Sequence, residues 1–339
     1  MSQPDAVRIV LASRPAGRPL PQNFRLERAA IPAITDGQVL LRILYLSLDP
    51  YMRGRMSAAK SYAAATEIGQ PMEGGTVGEV IESRDPGFKP GDIVLSHSGW
   101  QSYAVANAAQ LRKLDSKAAP LTTALGVLGM PGFTAYAGLL TIGQPKPGET
   151  VVVAAASGPV GSAVGQIAKI KGARAVGIAG GPGKCAFVRD TFGFDAVIDH
   201  RDPEMARKLA AACPDGIDVY FENVGGHVWD AVFPLLNSFA RIPVCGLVAQ
   251  YNASGEFPGP DRLPGMMRDV LSKSLMIRGF IQREFAAAQA PTFREEMARW
   301  IAEGAVKYKE DIVTGLENAP EAFIGLLEGK NFGKLIVEL

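Results

Sequence analysis

A chain of 339 residues, 47% hydrophobic and 20% charged with a net charge of +1, is long enough for two domains and has no basic excess for gripping nucleic acid or anionic lipid. The opening MSQPDAVRIVLASRP carries Asp5 and Arg8 where a signal peptide would be apolar, and no window of about 18 apolar residues free of Gly, Pro and charge follows, so a cytoplasmic protein without membrane contact is expected. Cys185, Cys213 and Cys245 are odd in number and far apart, and with only His97, His200 and His227 beside them neither a disulfide framework nor a metal site has its spacing.

The first 120 residues are strand-like: VRIVLA, GQVLLRILYLSLD, GGTVGEVIES and GDIVLSHSG are short β-rich runs punctuated by Gly, Pro and Asp. Among them DPGFKPGD, at 85–92, has turn chemistry, Pro fixing φ and Gly tolerating positive φ. From residue 122 the texture changes. TALGVLGMPGFTAYAGLLTIG spaces its apolar residues as a buried helix does, and PKPGET turns the chain into a Val-rich strand. Strands are then predicted at 150–154, 174–179, 196–199 and 217–221, alternating with helices at 160–171, 183–192, 203–212 and 226–236. The strands ARIPVCGLVA and LMIRGFI close the series, so the fold class is α/β: a β domain plus a doubly wound parallel sheet. A polar-faced helix at 286–304 leaves that sheet, and a helix at 318–328 with the strand GKLIVEL is too short to be a domain and returns to the β domain. The expected domains are therefore 1–122 with 305–339, and 123–304.

The stretch VVVAAASGPVGSAVGQIAK, at 151–169, is a variant of the dinucleotide fingerprint G-x-G-x-x-G, with Ala156 in the first glycine's place and Gly158 and Gly161 in the second and third. The second glycine lets backbone approach a pyrophosphate and the third lets helix and strand pack closely. The helix beginning at Pro159 and Val160 still offers unpaired N–H groups and the positive end of its dipole. Position after an apolar strand and before a helix, at the head of a βαβ series, makes this a dinucleotide site rather than a structural turn.

An acidic residue at the end of the second strand would bond the adenine ribose and select NAD. Here VGIAGGPGKCAFVRD has none. Lys184 follows at a helix start, where a cation can meet the extra phosphate of NADP, the other reading being a solvated lysine.

AAASGPVGSAVGQIAKIKGARAVG, FENVGG, CGLVAQYN, MPGFTAYAGL, LSLDPYMRGRM and GKNFGKLIVEL together resemble the medium-chain dehydrogenase/reductase superfamily, and within it the zinc-free branch of leukotriene B4 12-hydroxydehydrogenase, prostaglandin reductase and curcumin reductase. The resemblance runs over nearly the whole chain. It implies a GroES-like β domain, a Rossmann domain, NADPH, a homodimer, and reduction of the carbon-carbon double bond of a small enone or enal.

By the same resemblance the pyrophosphate lies on Gly158, Pro159, Val160 and Gly161, and the 2′-phosphate on Lys184. His200, in VIDHR, stands where these reductases usually have a tyrosine, and is either a surface residue or a phosphate ligand that binds better protonated. Asn223, at the fourth strand's end, is a cofactor contact or a turn residue, strand 241–250 brings Cys245 near the cofactor with Phe280, Ile281 and Gln282 on the next strand's end, and Asn331 reaches in from the tail. Thr134 contacts the nicotinamide amide or bonds its own helix.

Hydride addition to the β-carbon of an enone leaves an enolate oxygen that must be stabilised. SLDP, at 47–50, stands where a zinc enzyme of the superfamily would have a cysteine, so a hydrogen-bond donor must replace the metal. Tyr251, in AQYN, matches that donor. Tyr51 matches an aromatic residue of the substrate pocket or packs its loop, and Asp49 and Arg53 hold that loop by hydrogen bonds. The Gly- and Pro-rich loop 251–265 is expected to shape the substrate entrance. A zinc-independent quinone reductase and a non-catalytic NADPH-binding protein are the alternatives.

Overall fold

A run of Val, Leu and Ile makes Gln38–Ser47 the central strand of an antiparallel sheet in the first of two units, which comprises the chain up to Gly126 together with Glu310–Leu339. The computed structural model describes residues 6–253 and 261–339. Thr76–Ser83 lies along one side of the central strand, Tyr103–Asn107 pairs with its first half, and Lys334–Glu338 pairs with its last residues. The tail is thus part of this sheet. Ala6–Leu11 and Phe24–Ala29 form a separate hairpin whose Phe24 stacks on Trp100, ring centroids 5.6 Å apart. Phe323, from the tail helix Ala319–Leu327, meets Trp100 edge-on at 5.7 Å, closing an aromatic core.

The second unit, Val127–Lys309, holds six parallel strands: Thr150–Ala154, Arg174–Ala179, Ala196–Asp199, Ile217–Phe221, Leu236–Val244 and Met276–Gly279. Numbered along the chain they lie in the order 3-2-1-4-5-6. Direction of travel therefore reverses between the first and fourth strands, and a crevice opens at their carboxyl ends. Alternate residues feed two cores. Val151, Val153, Val219 and Phe221 face the helices Met130–Ala137, Pro159–Ile170 and Ala286–Ala302, whereas Val152, Ala154 and Tyr220 face Met205–Ala212 and Gly226–Val232. Burial on both faces is why these strands read as unbroken apolar runs.

Two expectations are corrected. The fifth strand stops at Val244 instead of running on through CGLVA, because the amides of Cys245 and Gly246 both turn to the Glu222 carbonyl, at 2.9 and 3.2 Å. The end of the expected loop 251–265 is helical, Leu263–Ser272, with Pro264 in the first turn; residues 254–260 of that loop lie outside the described residues. Among the described residues no helix is long and apolar enough to cross a membrane.

Candidate active site

The turn after the first strand has an alanine in left-handed conformation: Ala155, φ +54°, not Ala156. A left-handed L-residue costs roughly 1–2 kcal/mol, and the conformation lets the Ala155 carbonyl accept from the Gly158 amide at 2.9 Å. Ala156 is buried, its amide donating to Ile178 at 2.9 Å and its methyl group filling the space beside Gly177. Gly161 has no room for a side chain, since a Cβ there would stand 2.4 Å from the Ala155 carbonyl oxygen. Gly158 is the N-cap of Pro159–Ile170 and brings no capping side chain. The amides of Val160 and Gly161 are thus the helix's orphan donors. Phe194 lies across the next glycines: a Cβ on Gly165 would be 1.9 Å from its ring and one on Gly177 2.9 Å.

At the end of the second strand, Gly181 has φ +90° and its amide donates to Asp199 Oδ1 at 2.9 Å; the amide of Arg201 donates to the same oxygen at 2.9 Å. Burial raises the Asp199 carboxyl, but these backbone donors outweigh it and hold the group below its usual range. A side chain on Gly180 would begin 2.8 Å from His200 Nε2 and 3.3 Å from Arg201 Nε. Burial lowers the His200 imidazole, with His227, Arg201 and Lys184 adding to the effect and Asp199 opposing it. His200 and Arg201 thus stand beside a two-glycine loop, with Lys184 close enough to His200 to act on it. Nothing in VIDHR marks Arg201 as a residue of this loop, since only the fold brings it beside Gly180.

Beyond the fourth and fifth strands the organising residue is Glu222, also missed. It is fully buried, and its Oε1 accepts from the amides of Val224 at 2.6 Å and Gly225 at 2.9 Å. Burial raises its carboxyl in spite of those donors. Asn223 Nδ2 donates to the Ala154 carbonyl at 2.9 Å, tying the fourth strand's end to the first. The Asn223 carbonyl accepts from Val248 at 3.2 Å, opening the turn Val248–Gln250 that delivers Tyr251. The Tyr251 hydroxyl lies 3.0 Å from where a side chain on Gly246 would start, and the Asn223 carbonyl 3.5 Å from that point. Burial, then Glu222, pushes the Cys245 thiol up to about 12, which disfavours its thiolate.

The other predicted positions are less direct. The Phe280 ring is core, edge-on to Phe221 at 6.1 Å and packed beneath Gly138, so only its backbone faces the strand end. The Ile281 amide donates to Glu284 Oε1 at 2.8 Å, and Gln282 begins the short turn Gln282–Phe285. Thr134 Oγ1 donates to the Met130 carbonyl at 2.8 Å, spending its proton on its own helix.

In the first unit, Tyr51 precedes the one-turn helix Met52–Arg55, with the Arg55 guanidinium 5.5 Å from its ring centre. Burial, then Asp49 and Glu73, push its phenol well above the usual range, so it stays protonated. Asp49 and Arg53 hold this loop: Ser47 Oγ donates to Asp49 Oδ2, Lys334 Nζ donates to Asp49 Oδ1 at 3.0 Å, and Arg53 donates to the Gly17 carbonyl at 2.6 Å. Asn331 Nδ2 donates to the Gly333 carbonyl at 2.8 Å, closing the turn before the last strand. Among the described residues no group of three or more His, Cys, Asp or Glu is placed to hold a metal ion.

Two family models match the chain, one described as the N-terminal domain of oxidoreductase over residues 7–114, the other as zinc-binding dehydrogenase over residues 159–303. The chain is 56% identical over 332 residues to the NADPH-dependent curcumin reductase of Escherichia coli (strain K12), covering 98% of this chain and 96% of that protein. It is 39% identical over 327 residues to prostaglandin reductase 1 of Bos taurus, covering 95% of each. The crystal structure of CurA in complex with NADPH from Vibrio vulnificus has a TM-score of 0.95 at 54% identity, over 98% of both chains.

Proposed function

The chain belongs to the medium-chain dehydrogenase/reductase family, in the branch of curcumin reductase and prostaglandin reductase, and from that premise we propose that it uses NADPH to reduce the carbon-carbon double bond of α,β-unsaturated ketones or aldehydes. The cofactor fits these residues: Gly161 leaves the backbone bare beside two orphan helix amides, and the His200 imidazole and the Arg201 guanidinium stand beside Gly180, with Lys184 acting on His200. When bound, NADPH supplies the hydride for the substrate's β-carbon.

What this chain does is manage charge. As negative charge builds on the substrate's carbonyl oxygen, the Tyr251 phenol donates a hydrogen bond to it and serves as the local proton source. The observation that carries this role is the seat of the Tyr251 hydroxyl over Gly246, in the turn that follows the fifth strand and beside the Asn223 carbonyl at the end of the fourth. Asn223 and Cys245 are assigned to that floor with the backbone of Phe280, Ile281 and Gln282, and Thr134, whose hydroxyl donates to the Met130 carbonyl, is left to accept from the nicotinamide amide. Tyr51, a protonated phenol in the first unit, is assigned to the substrate, and Asn331 to the cofactor.

The working form is a homodimer. Met276–Gly279 is one of the sheet's two edge strands among the described residues, and Phe239, Leu263, Met267, Leu271 and Met276 are exposed on or near that side of the sheet. A second copy is the occupant that an apolar face beside an unpaired edge calls for.

The test is oxidation of NADPH, followed by absorbance, with a 2-alkenal, an enone and a simple quinone, and NADH as control. Turnover of the enone or enal with a saturated carbon-carbon bond in the product supports the reading. Reaction of the quinone alone overturns it.

A further inference from the structure

Glu222 prolongs the fourth strand by one bridge, to Val244, and is wholly buried. An apolar side chain there would avoid the cost of desolvating a carboxyl. Only one of its oxygens is engaged: Oε2 has no hydrogen-bond partner among the described residues, whereas Oε1 accepts from the Val224 amide at 2.6 Å and the Gly225 amide at 2.9 Å. The turn so closed, with Gly225 at φ +74°, carries the segment that leads to Tyr251. The Glu222 carbonyl accepts from the amides of Cys245 and Gly246 at 2.9 and 3.2 Å, the Asn223 carbonyl from that of Val248 at 3.2 Å, and the Val224 carbonyl from that of Ala249 at 3.0 Å. The Val248 carbonyl then accepts from the Tyr251 amide at 3.3 Å. The same turn also meets this segment through side chains, since a Cβ on Gly225 would lie 3.3 Å from Leu247 Cδ2.

We propose that Glu222 is a positioning residue for the reduction, its carboxyl setting the orientation of two peptide units and those units setting where the Tyr251 phenol stands. The proposal rests on the role given to Tyr251 above. A trans peptide unit is planar, and its N–H and C=O point in opposite directions, so fixing one fixes the other. The unit joining Asn223 to Val224 gives its N–H to Glu222 Oε1 and its C=O to the Val248 amide; the unit joining Val224 to Gly225 gives its N–H to the same oxygen and its C=O to the Ala249 amide. One carboxyl oxygen therefore holds both units by one end and presents the other end to the Tyr251 segment. Without that acceptor the two N–H groups, cut off from water, turn toward other partners and their carbonyls swing away with them. Val248 and Ala249 follow, and the phenol leaves its seat over Gly246. Glu222 touches no reacting atom in this scheme, and its whole effect on the reaction passes through Tyr251.

The experiment is a double-mutant cycle on kcat for an enone at saturating NADPH, combining Glu222→Ala with Tyr251→Phe. Alone, Glu222→Ala is expected to lower kcat about tenfold, as displacement of a positioned group does. In the Tyr251→Phe background, already slowed about a hundredfold, the same substitution is expected to change kcat by less than about twofold, because the group it displaces no longer acts. Glu222→Gln keeps an acceptor for both amides and is expected to recover most of the loss. Gly225→Ala is the second variant: it leaves the carboxyl in place, strains the same turn at φ +74°, and is expected to depend on Tyr251 in the same way. Equal losses from Glu222→Ala in the two backgrounds would mean that it acts on the fold and not through the phenol, and overturn the proposal. An undiminished kcat in Glu222→Ala overturns it as well, as does failure of both turn variants to fold, read by thermal melting. The two levels separate on Tyr251→Phe itself. If that variant turns the enone over at the wild-type rate, the role of Tyr251 falls first; if it is slow and the losses multiply, Tyr251 keeps its role and this inference alone fails.

Discussion

The Tyr251 hydroxyl sits over Gly246, 3.0 Å from where a side chain at that glycine would begin. A methyl group there is tighter than ordinary van der Waals contact, so the phenol must yield by a few tenths of an ångström. Positioned donors lose much of their effect over such distances. Tyr251→Phe is expected to lower kcat on an enone about a hundredfold, as loss of one oxyanion donor does. Gly246→Ala is expected to lower it about tenfold, with NADP+ affinity unchanged by titration. Full turnover by Tyr251→Phe would remove the phenol from the mechanism.

The phosphate turn makes a paired prediction on stability. Ala155 holds a left-handed conformation that glycine adopts without strain. Ala155→Gly should therefore stabilise the protein by about 1 kcal/mol, less the extra freedom gained by the unfolded chain. Gly161→Ala meets backbone, the Ala155 carbonyl oxygen at 2.4 Å, and cannot be absorbed by a side-chain rotation. It should cost about 1–3 kcal/mol and weaken NADP+ binding. Chemical denaturation of the two variants decides; destabilisation by Ala155→Gly would be the adverse result.

Much of this was legible in the sequence where one stretch carries the whole signal. The strands at 150–154 and 174–179 stand where they were predicted, because full burial writes them as apolar runs with a turn at each end. The helix Leu263–Ser272 was not foreseen because none of its residues is buried, so no core-facing stripe marks it, and Pro264 and Gly265 look like loop. Arg201 and Glu222 escaped for another reason. Each acts on a partner that the fold supplies, the Gly180 loop for one and the turn after Phe221 together with the fifth strand's end for the other. Only the assembled crevice shows what they hold.

The buried ion pair of the first unit is a test of the Tyr51 loop. Lys334, only 2% exposed, donates to the Leu48 carbonyl at 2.7 Å and to Asp49 at 3.0 Å. Removing one partner strands a buried charge, so Lys334→Met is expected to destabilise by about 3–5 kcal/mol. Adding Asp49→Asn should recover a large part of that loss, since the uncompensated carboxylate goes with it. No recovery in the double variant, measured by urea denaturation, would show that the lysine acts through packing.

Glu222 links stability to pH with a sign opposite to that of a salt-bridged acid. Burial holds its carboxyl above the usual range in the folded chain, even though the amides of Val224 and Gly225 pull the other way. The folded state therefore keeps a proton that the unfolded chain has already lost. The stabilisation this provides is complete below the unfolded carboxyl's range and disappears as pH rises through the folded value. Glu222→Gln keeps an acceptor for both amides and never ionises. The variant's melting temperature relative to wild type should thus climb as pH rises above the unfolded carboxyl's range and level off above the folded one. Glu222→Ala removes the acceptor and strands two buried amides, at a cost of about 1–3 kcal/mol across the whole range. A Gln variant displaced from wild type by the same amount at every pH would mean that Glu222 is ionised in the fold and that the two amides, not burial, set its charge.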